Sequence, residues 1–258
     1  MSLHRTLAAA AGALALGASA QAAPSAPTAV VELRQYKVAP GGRDAFVKLF
    51  DREFVESQEA LGARLVGQYR DLDDLNRFVW IRAFAGWTKR EKALTDFYSG
   101  PVWQRLRNEA NSYLLDTDNV LLLKPATPGH GFGPAAPRID PPKPGGLVVA
   151  TIYYLWAEPS EGFAAAFDAK ARPELEAAGL PVLAAFAPEP TPNNYPRLPV
   201  RQGEKVFVWF TRADSPAAYA AAQKRLAARP AFKAALDGYL ERAPQVLRLE
   251  PTPRSALR

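Results

Sequence analysis

The pattern of apolar and polar residues predicts six elements over residues 30–126, in the order strand, helix, strand, strand, helix, strand. Residues 30–38 alternate strongly enough to form a strand. The helix that follows carries Phe46, Phe50 and Phe54 on one stripe at helical spacing. The later strands are expected at 64–70, 76–85 and about 117–124, with helical segments at about 88–98 and 101–113. This order is typical of the ferredoxin-like βαββαβ unit.

Residues 146–252 repeat this pattern. The segment NRFVWIRAF at 76–84 is echoed by KVFVWFT at 205–211. The elements expected here are strands 147–156, 181–187, 204–212 and 245–250, and helices 160–178, 215–228 and 230–241. Pro173 falls inside the first of these helices and predicts a kink or break. We therefore expect an α+β fold of two tandem ferredoxin-like repeats, packed sheet to sheet as an intrachain α+β barrel.

The segments outside the two repeats have distinct compositions. Residues 1–23 combine a short positive start, a brief apolar stretch and small residues suited to cleavage, as in a secretory signal peptide. A short tether at 24–29, a Pro/Gly-rich linker at 127–145 and a tail at 253–258 complete the chain. The expected location is therefore periplasmic or secreted.

Composition narrows the classes of function. The chain has no cysteine, so thiolate chemistry and disulfides are excluded. The net charge of +6 is spread along both halves without a basic run, which argues against nucleic-acid binding. After the signal peptide, no segment is long and apolar enough to predict a membrane span. We expect a monomer or a homodimer.

A sheet with helices on one face must bury its other face, and two such sheets can cover each other. Strand alternation divides the side chains into two sets. We expect the larger, more polar set to face the space between the sheets, which is the predicted ligand cavity. The predicted ligand-binding residues are Arg34, Tyr36, Trp80, Arg82, Phe84, Tyr153 and Trp209.

Three charged residues in this set permit two interpretations. Glu32 and Arg34 lie on one strand, and Arg82 comes from a neighbouring strand. They form either a structural ion cluster, which is favoured, or a site in which an arginine binds a substrate carboxylate or enolate. In the second case Tyr36 donates a hydrogen bond and Trp80 forms the floor.

These residues resemble a known family. The opening ELRQY at 32–36 before a Pro-Gly-Gly turn, the VG at 66–67, and Asn76 with Trp80 are similar to NIPSNAP-type domains. So is the run from Thr88 and Arg90 to PVW at 101–103. The resemblance covers residues 30–126, and 146–252 look like a diverged copy. It implies a fold of the dimeric α+β barrel superfamily, whose members include cofactor-free monooxygenases, isomerases and haem enzymes. It implies no common catalytic mechanism.

Three functions are compatible with the sequence. The first is small-molecule binding. The second is a cofactor-independent oxygenase or isomerase acting on an aromatic or carbonyl compound, with Glu32 or Tyr36 as acid or base. The third is a non-catalytic interaction or scaffold protein.

No cofactor and no metal are expected, because His130 is the one histidine after the signal peptide and is interpreted as a solvated linker residue. The proline-rich loop 188–203 is either a surface excursion, which is favoured, or a lid.

Overall fold

A computed structural model describes residues 29–134, 138 and 146–258. The predicted signal peptide, most of the tether and part of the linker lie outside these residues. In the described part of the chain, no helix has the length and apolar character needed to cross a membrane.

The first half contains the expected elements, with both helical regions divided in two. Its elements are β1 Val30–Val38, α1 Arg43–Glu53, α2 Val55–Glu59, β2 Arg64–Asp71, β3 Arg77–Phe84, α3 Trp87–Ser99, α4 Pro101–Ser112, β4 Leu114–Asp116 and β5 Val120–Pro125. The phenylalanine stripe of α1 is buried as predicted, because Phe46 and Phe50 pack against Phe78 of β3 at ring distances of 5.1 and 5.2 Å.

The second half follows the same order. Its elements are β6 Leu147–Leu155, α5 Phe163–Ala166, α6 Arg172–Ala177, β7 Ala184–Pro188, β8 Val206–Ala213, α7 Pro216–Ala227, α8 Pro230–Leu236 and β9 Leu240–Pro251. A kink or break was predicted at Pro173, and the structure has a π-helical turn at Phe167–Ala171 between α5 and α6. Proline has no N–H to donate, and such turns accommodate the lost backbone bond.

The predicted boundary between the last helix and the last strand was wrong. Helix α8 ends at Leu236 and β9 begins at Leu240, whereas the sequence predicted helix to 241. The physical reason lies in two residues: Asp237 is extended, and Gly238 takes the left-handed conformation with φ of 77°. Together they end the helix and reverse the chain into a long final strand.

Eight strands close into an antiparallel barrel. Neighbouring strands run in the order β3-β2-β9-β6-β8-β7-β5-β1, and β1 pairs with β3 to close the ring. The short β4 pairs with the end of β1 outside the ring. The two halves meet at β2 with β9 and at β5 with β7. A single chain therefore completes the barrel without a second copy.

The barrel interior is filled by apolar side chains of both halves. Val31, Leu33, Val79 and Ile81 belong to this interior cluster, together with residues of β6, β8 and β9. The other side-chain set packs under the helices, including Tyr36, Phe78, Trp80 and Phe84.

The predicted face assignment was therefore inverted. Strand alternation separates the two sets correctly but does not say which one lies inside. A barrel of eight strands has an interior just wide enough for side chains to fill. The small aliphatic set fits that space, whereas the larger rings match the phenylalanine stripe of α1. The predicted cavity between the sheets is occupied by the apolar interior cluster.

Gly67 allows Tyr69 to enter the barrel interior. A Cβ atom at Gly67 would lie 1.9 Å from the Tyr69 hydroxyl oxygen. Tyr69 is fully buried, and its hydroxyl donates to the backbone oxygen of Leu257 at 3.2 Å. The backbone N–H of Leu257 in turn donates to the carbonyl of Val66 at 2.8 Å. The predicted tail thus packs against β2 at one end of the barrel.

Replacing Gly67 with alanine should destabilise the fold, because the added methyl group displaces a buried ring. We expect the Gly67→Ala free energy of unfolding to fall by about 1–3 kcal/mol, the usual range for overpacking a core. Urea denaturation measures this directly. Gly133→Ala is the matched control, since a Cβ there meets no atom within 4 Å. Equal stability of the two variants would contradict the packing described for Tyr69.

Candidate functional site

The pairing of β1 with β3 assembles the polar residues that the sequence singled out. Glu32 lies opposite Arg82, and Arg34 lies opposite Trp80. The next pair on the same face joins Tyr36 to Phe78. All of these side chains point toward the helices of the first half, so the site lies outside the barrel interior.

Glu32 binds three arginines. Its Oε2 accepts from Arg34 Nη1 and Arg82 Nε, both at 2.7 Å, and its Oε1 accepts from Arg90 Nε at 2.7 Å. All four side chains are fully buried. Gln58 of α2 accepts a further bond from Arg82 Nη1 at 2.9 Å. We call Glu32, Arg34, Arg82 and Arg90 the charge cluster.

The charge cluster carries more positive than negative charge. Three guanidiniums and one carboxylate leave two unbalanced positive charges. Burial alone would raise the pKa of Glu32, but the charges of Arg82, Arg34 and Arg90 outweigh it and hold that pKa well below its usual range. Glu32 is therefore ionised at any ordinary pH.

Each arginine of the cluster also has unused hydrogen-bonding capacity. Within the described residues, the Nη2 atoms of Arg34, Arg82 and Arg90 are buried and have no hydrogen-bond partner. Buried donors are nearly always satisfied, because leaving one unpaired costs about 1–3 kcal/mol. The surplus of charge and the surplus of donors thus occur in the same place.

A cavity of about 100 Å³ lies beside the charge cluster, between the helices and the sheet. We call it the helix-side cavity. Its walls are mostly aromatic, and its polar groups come from Tyr36, Trp80, Gln58, Asn111 and Thr117. The apolar part of the lining is Phe46, Phe50, Phe54, Phe97, Tyr98, Trp103, Ala110, Leu114 and Leu198.

Trp80 and Tyr36 connect the cavity to the charge cluster. The Trp80 ring lies 4.9 Å from the guanidinium carbon of Arg82 and 5.5 Å from that of Arg34. Its Nε1 is buried without a partner among the described residues. The Tyr36 hydroxyl accepts from Arg34 Nε at 2.9 Å, which leaves its proton free to donate. Burial raises the pKa of Tyr36, and Arg34 offsets part of that rise, so the phenol stays neutral.

A loop of the second half covers the site of the first half. We call residues 189–203 the cover loop. Arg90 Nη1 donates to the side-chain oxygens of Asn193 and Asn194 at 3.0 and 2.5 Å. Tyr195 stacks on Tyr98 with ring centroids 5.9 Å apart. The loop lies on the surface, as the sequence favoured, and is attached to the charge cluster through Arg90.

The structure does not bring all the predicted ligand-binding residues together. Arg34, Tyr36, Trp80, Arg82 and Phe84 share the first-half cluster, and their predicted role in ligand binding stays a prediction.

Tyr153 and Trp209 belong to a separate cluster under the second-half helices. The register there is the same, with Thr151 opposite Trp209 and Tyr153 opposite Phe207. Phe167 fills the space beside these rings, with its ring 4.7 Å from that of Phe207 and 6.2 Å from that of Trp209.

Sequence reasoning missed four polar residues of the site: Arg90, Gln58, Asn193 and Asn194. Arg90 entered only through the family resemblance, without a role in the site. Nothing in the local pattern indicated that the cover loop would return to the first half.

The interpretation of His130 as a solvated linker residue was wrong. The side chain is 8% exposed, and its Nε2 lies 2.9 Å from a carboxylate oxygen of Asp168. The backbone carbonyl of His130 accepts from Ala185, which attaches this part of the linker beside β7. Phe132 follows and packs on Phe186 and Phe210 at one end of the barrel interior.

Comparisons with known proteins support the fold. Residues 31–128 match the NIPSNAP family model, which covers the part of the chain that carries the charge cluster. A search of curated proteins gives no match. Among solved structures, a candidate monooxygenase from Lactobacillus acidophilus is 14% identical, with a TM-score of 0.55, covering 87% of this chain and 94% of its own.

Two further structures are similar over nearly the whole chain. A candidate monooxygenase from Fusobacterium nucleatum is 10% identical, with a TM-score of 0.56 and coverage of 87% of this chain and 93% of its own. An anthrone oxidase-like protein is 11% identical, with a TM-score of 0.53 and coverage of 89% and 94%. At these identities the likeness shows the fold, an α+β protein built on a closed barrel.

Removing the one anion of the charge cluster should be strongly destabilising. Glu32→Gln leaves three buried guanidiniums without a counter-charge, so we expect a loss of about 3–5 kcal/mol in the free energy of unfolding. Glu53→Gln is the control, because Glu53 also binds two arginines but near the surface. That change should cost much less. Similar losses in the two variants, measured by urea denaturation, would contradict the account.

The same cluster predicts an acid-dependent loss of stability. The pKa of Glu32 is lower in the folded than in the unfolded protein, where it is near its ordinary value of 4.5. Below that pH the unfolded chain takes up the proton and the folded chain does not, so stability falls as pH falls. Thermal melts between pH 5 and pH 3 should show a steeper decline for wild type than for Glu32→Gln. Parallel declines would show that Glu32 titrates alike in both states.

Proposed function

We propose that the protein binds a small molecule in the helix-side cavity. The ligand has an aromatic or apolar body and an oxygen atom that accepts hydrogen bonds from Tyr36 and Trp80. One observation carries this proposal: a buried surplus of guanidinium charge lies directly behind the polar end of an aromatic cavity. Apolar walls with a few convergent polar groups are typical of ligand sites.

Electrostatics favour an oxygen that carries or develops negative charge. The attraction between unlike charges grows as the dielectric constant around them falls, so buried guanidiniums act beyond their direct contacts. A ligand oxygen at the polar end of the helix-side cavity would lie near Trp80 and Tyr36, whose rings contact Arg34 and Arg82. A carbonyl or enolate oxygen there would offset part of the unbalanced positive charge.

A second candidate is a cofactor-independent enzyme, an oxygenase or isomerase acting on an aromatic or carbonyl compound. The observation that favours it is the Tyr36 hydroxyl, which lines the cavity and is polarised by Arg34 at 2.9 Å. Glu32 is unsuited to proton transfer, because three arginines hold it ionised and fully buried. Shared fold with the monooxygenase candidates is an analogy and not a mechanism. A loss of turnover in Tyr36→Phe far larger than its loss of binding would support this function.

The non-catalytic interaction role keeps support from the barrel interior. That hypothesis requires the predicted cavity between the sheets to be filled by the protein's own side chains, and the apolar interior cluster fills it. Ligand binding is favoured by a different space, the helix-side cavity of the first half.

The proposal extends to organisation and location. We infer two tandem ferredoxin-like repeats at 30–126 and 146–252, supported by the matching registers of β1 with β3 and β6 with β8. Export to the periplasm or exterior rests on the signal-peptide pattern of residues 1–23.

Binding of an aromatic ketone should depend on Tyr36. With 2-acetylnaphthalene as the probe, we expect Tyr36→Phe to weaken binding about tenfold, the effect of one lost hydrogen bond. Isothermal titration calorimetry measures the change. Tyr153→Phe is the matched control, because Tyr153 holds the corresponding position in the second half and should leave binding unchanged.

Two outcomes would contradict the proposal. One is an absence of binding by 2-acetylnaphthalene and related aromatic ketones to the wild-type protein. The other is weaker binding in Tyr153→Phe but not in Tyr36→Phe, which would move the site to the second half.

A further inference from the structure

A groove adjoins the helix-side cavity. We call it the outer groove. It measures about 330 Å³ and is lined by Tyr98, Trp103, Gln104, Arg107, Tyr195, Arg197 and Leu198. Tyr98, Trp103 and Leu198 also line the helix-side cavity. The two spaces are therefore separated by shared side chains and not by a layer of core.

The volumes indicate that only a small ligand fits wholly inside the helix-side cavity. Ligand pockets usually measure roughly 300–1,000 Å³. The helix-side cavity of about 100 Å³ accommodates a small ring or an acyl group, whereas the outer groove reaches the usual range. A larger ligand bound in the helix-side cavity would extend toward the adjoining outer groove.

The outer groove presents two unpaired cations. Arg107 comes from α4 of the first half, and Arg197 comes from the cover loop of the second half. Both are exposed, and neither side chain forms an ion pair or hydrogen bond within the described part of the chain. Arg105 on the same helix differs, because it pairs with Glu53 at 2.9 Å. Acidic groups that could neutralise the groove are absent from its lining.

The cover loop is held in place before any ligand arrives. Asn193 and Asn194 accept from Arg90, and Asn194 Nδ2 donates to the Trp87 carbonyl at 3.0 Å. At the other end of the loop, the Arg201 N–H donates to the Val120 carbonyl at 2.8 Å. A wall fixed in this way positions Arg197 at low entropic cost on binding.

We propose that the ligand spans the helix-side cavity and the outer groove and carries an acidic group that Arg107 and Arg197 bind. This inference rests on the proposed function and names the ligand class: an aromatic or acyl body with a carbonyl oxygen at one end and a carboxylate or similar anion at the other. The second half lacks the charge cluster, but its cover loop carries Arg197. Through that residue the second half determines which acidic ligands the site binds.

A matched pair of probes tests this inference, namely 6-acetyl-2-naphthoate and its methyl ester. The wild-type protein should bind the carboxylate about fivefold more tightly than the ester, the size expected for exposed charge pairs. The preference should disappear in the double variant Arg107→Gln, Arg197→Gln and shrink with added salt. Arg105→Gln, which removes the same charge from the same helix, should preserve it.

The outcomes separate this inference from the proposed function. Equal binding of acid and ester by the wild type, or a preference that survives in the double variant, overturns the acidic-group assignment. If ester binding is then lost in Ala110→Leu, which fills the helix-side cavity, the proposed function still stands. Failure of both probes to bind the wild type rejects the proposed function, and this inference with it.

Discussion

The site depends on one buried carboxylate. Glu32 is the single anion that three fully buried guanidiniums share, and each contact is 2.7 Å long. A buried ion pair adds little to stability over apolar packing, but losing one partner is severe. Glu32 therefore fixes the positions of Arg34 and Arg82 on the sheet and of Arg90 on α3. Through Arg90 it also determines where the cover loop rests.

The two halves of the barrel show how one architecture can keep or lose a site. At the positions corresponding to Glu32, Arg34 and Arg82, the second half has Val149, Thr151 and Thr211. Without charges to satisfy, its helices pack directly on the sheet, and Phe167 occupies the space beside the Trp209 ring. The second half contributes to function by closing the barrel and covering the site of the first half.

Much of the fold could be predicted from the sequence, because strand alternation and helical stripes are local signals. The element order, the break near Pro173 and the polar set on β1 and β3 all follow from such patterns. The side of the sheet that this set faces could not be predicted from alternation alone. It is decided by the narrow barrel interior, which accepts Val79 and Ile81 more readily than Trp80 and Arg82. The phenylalanine stripe of α1 was an available signal, since those rings require large partners across the interface. Arg90 and the cover loop depend on long-range contacts that no local pattern encodes.

The central claim is that a ligand binds on the helix side of the first half and not inside the barrel. The most direct test is a ¹H–¹⁵N spectrum of the five tryptophan indole groups, recorded during titration with 2-acetylnaphthalene. The account predicts that the Trp80 signal, assigned with Trp80→Phe, shifts with the Trp103 signal while Trp209 stays fixed. A shift of Trp209 with Trp80 unmoved, or shifts confined to the methyl groups of the interior cluster, would contradict it.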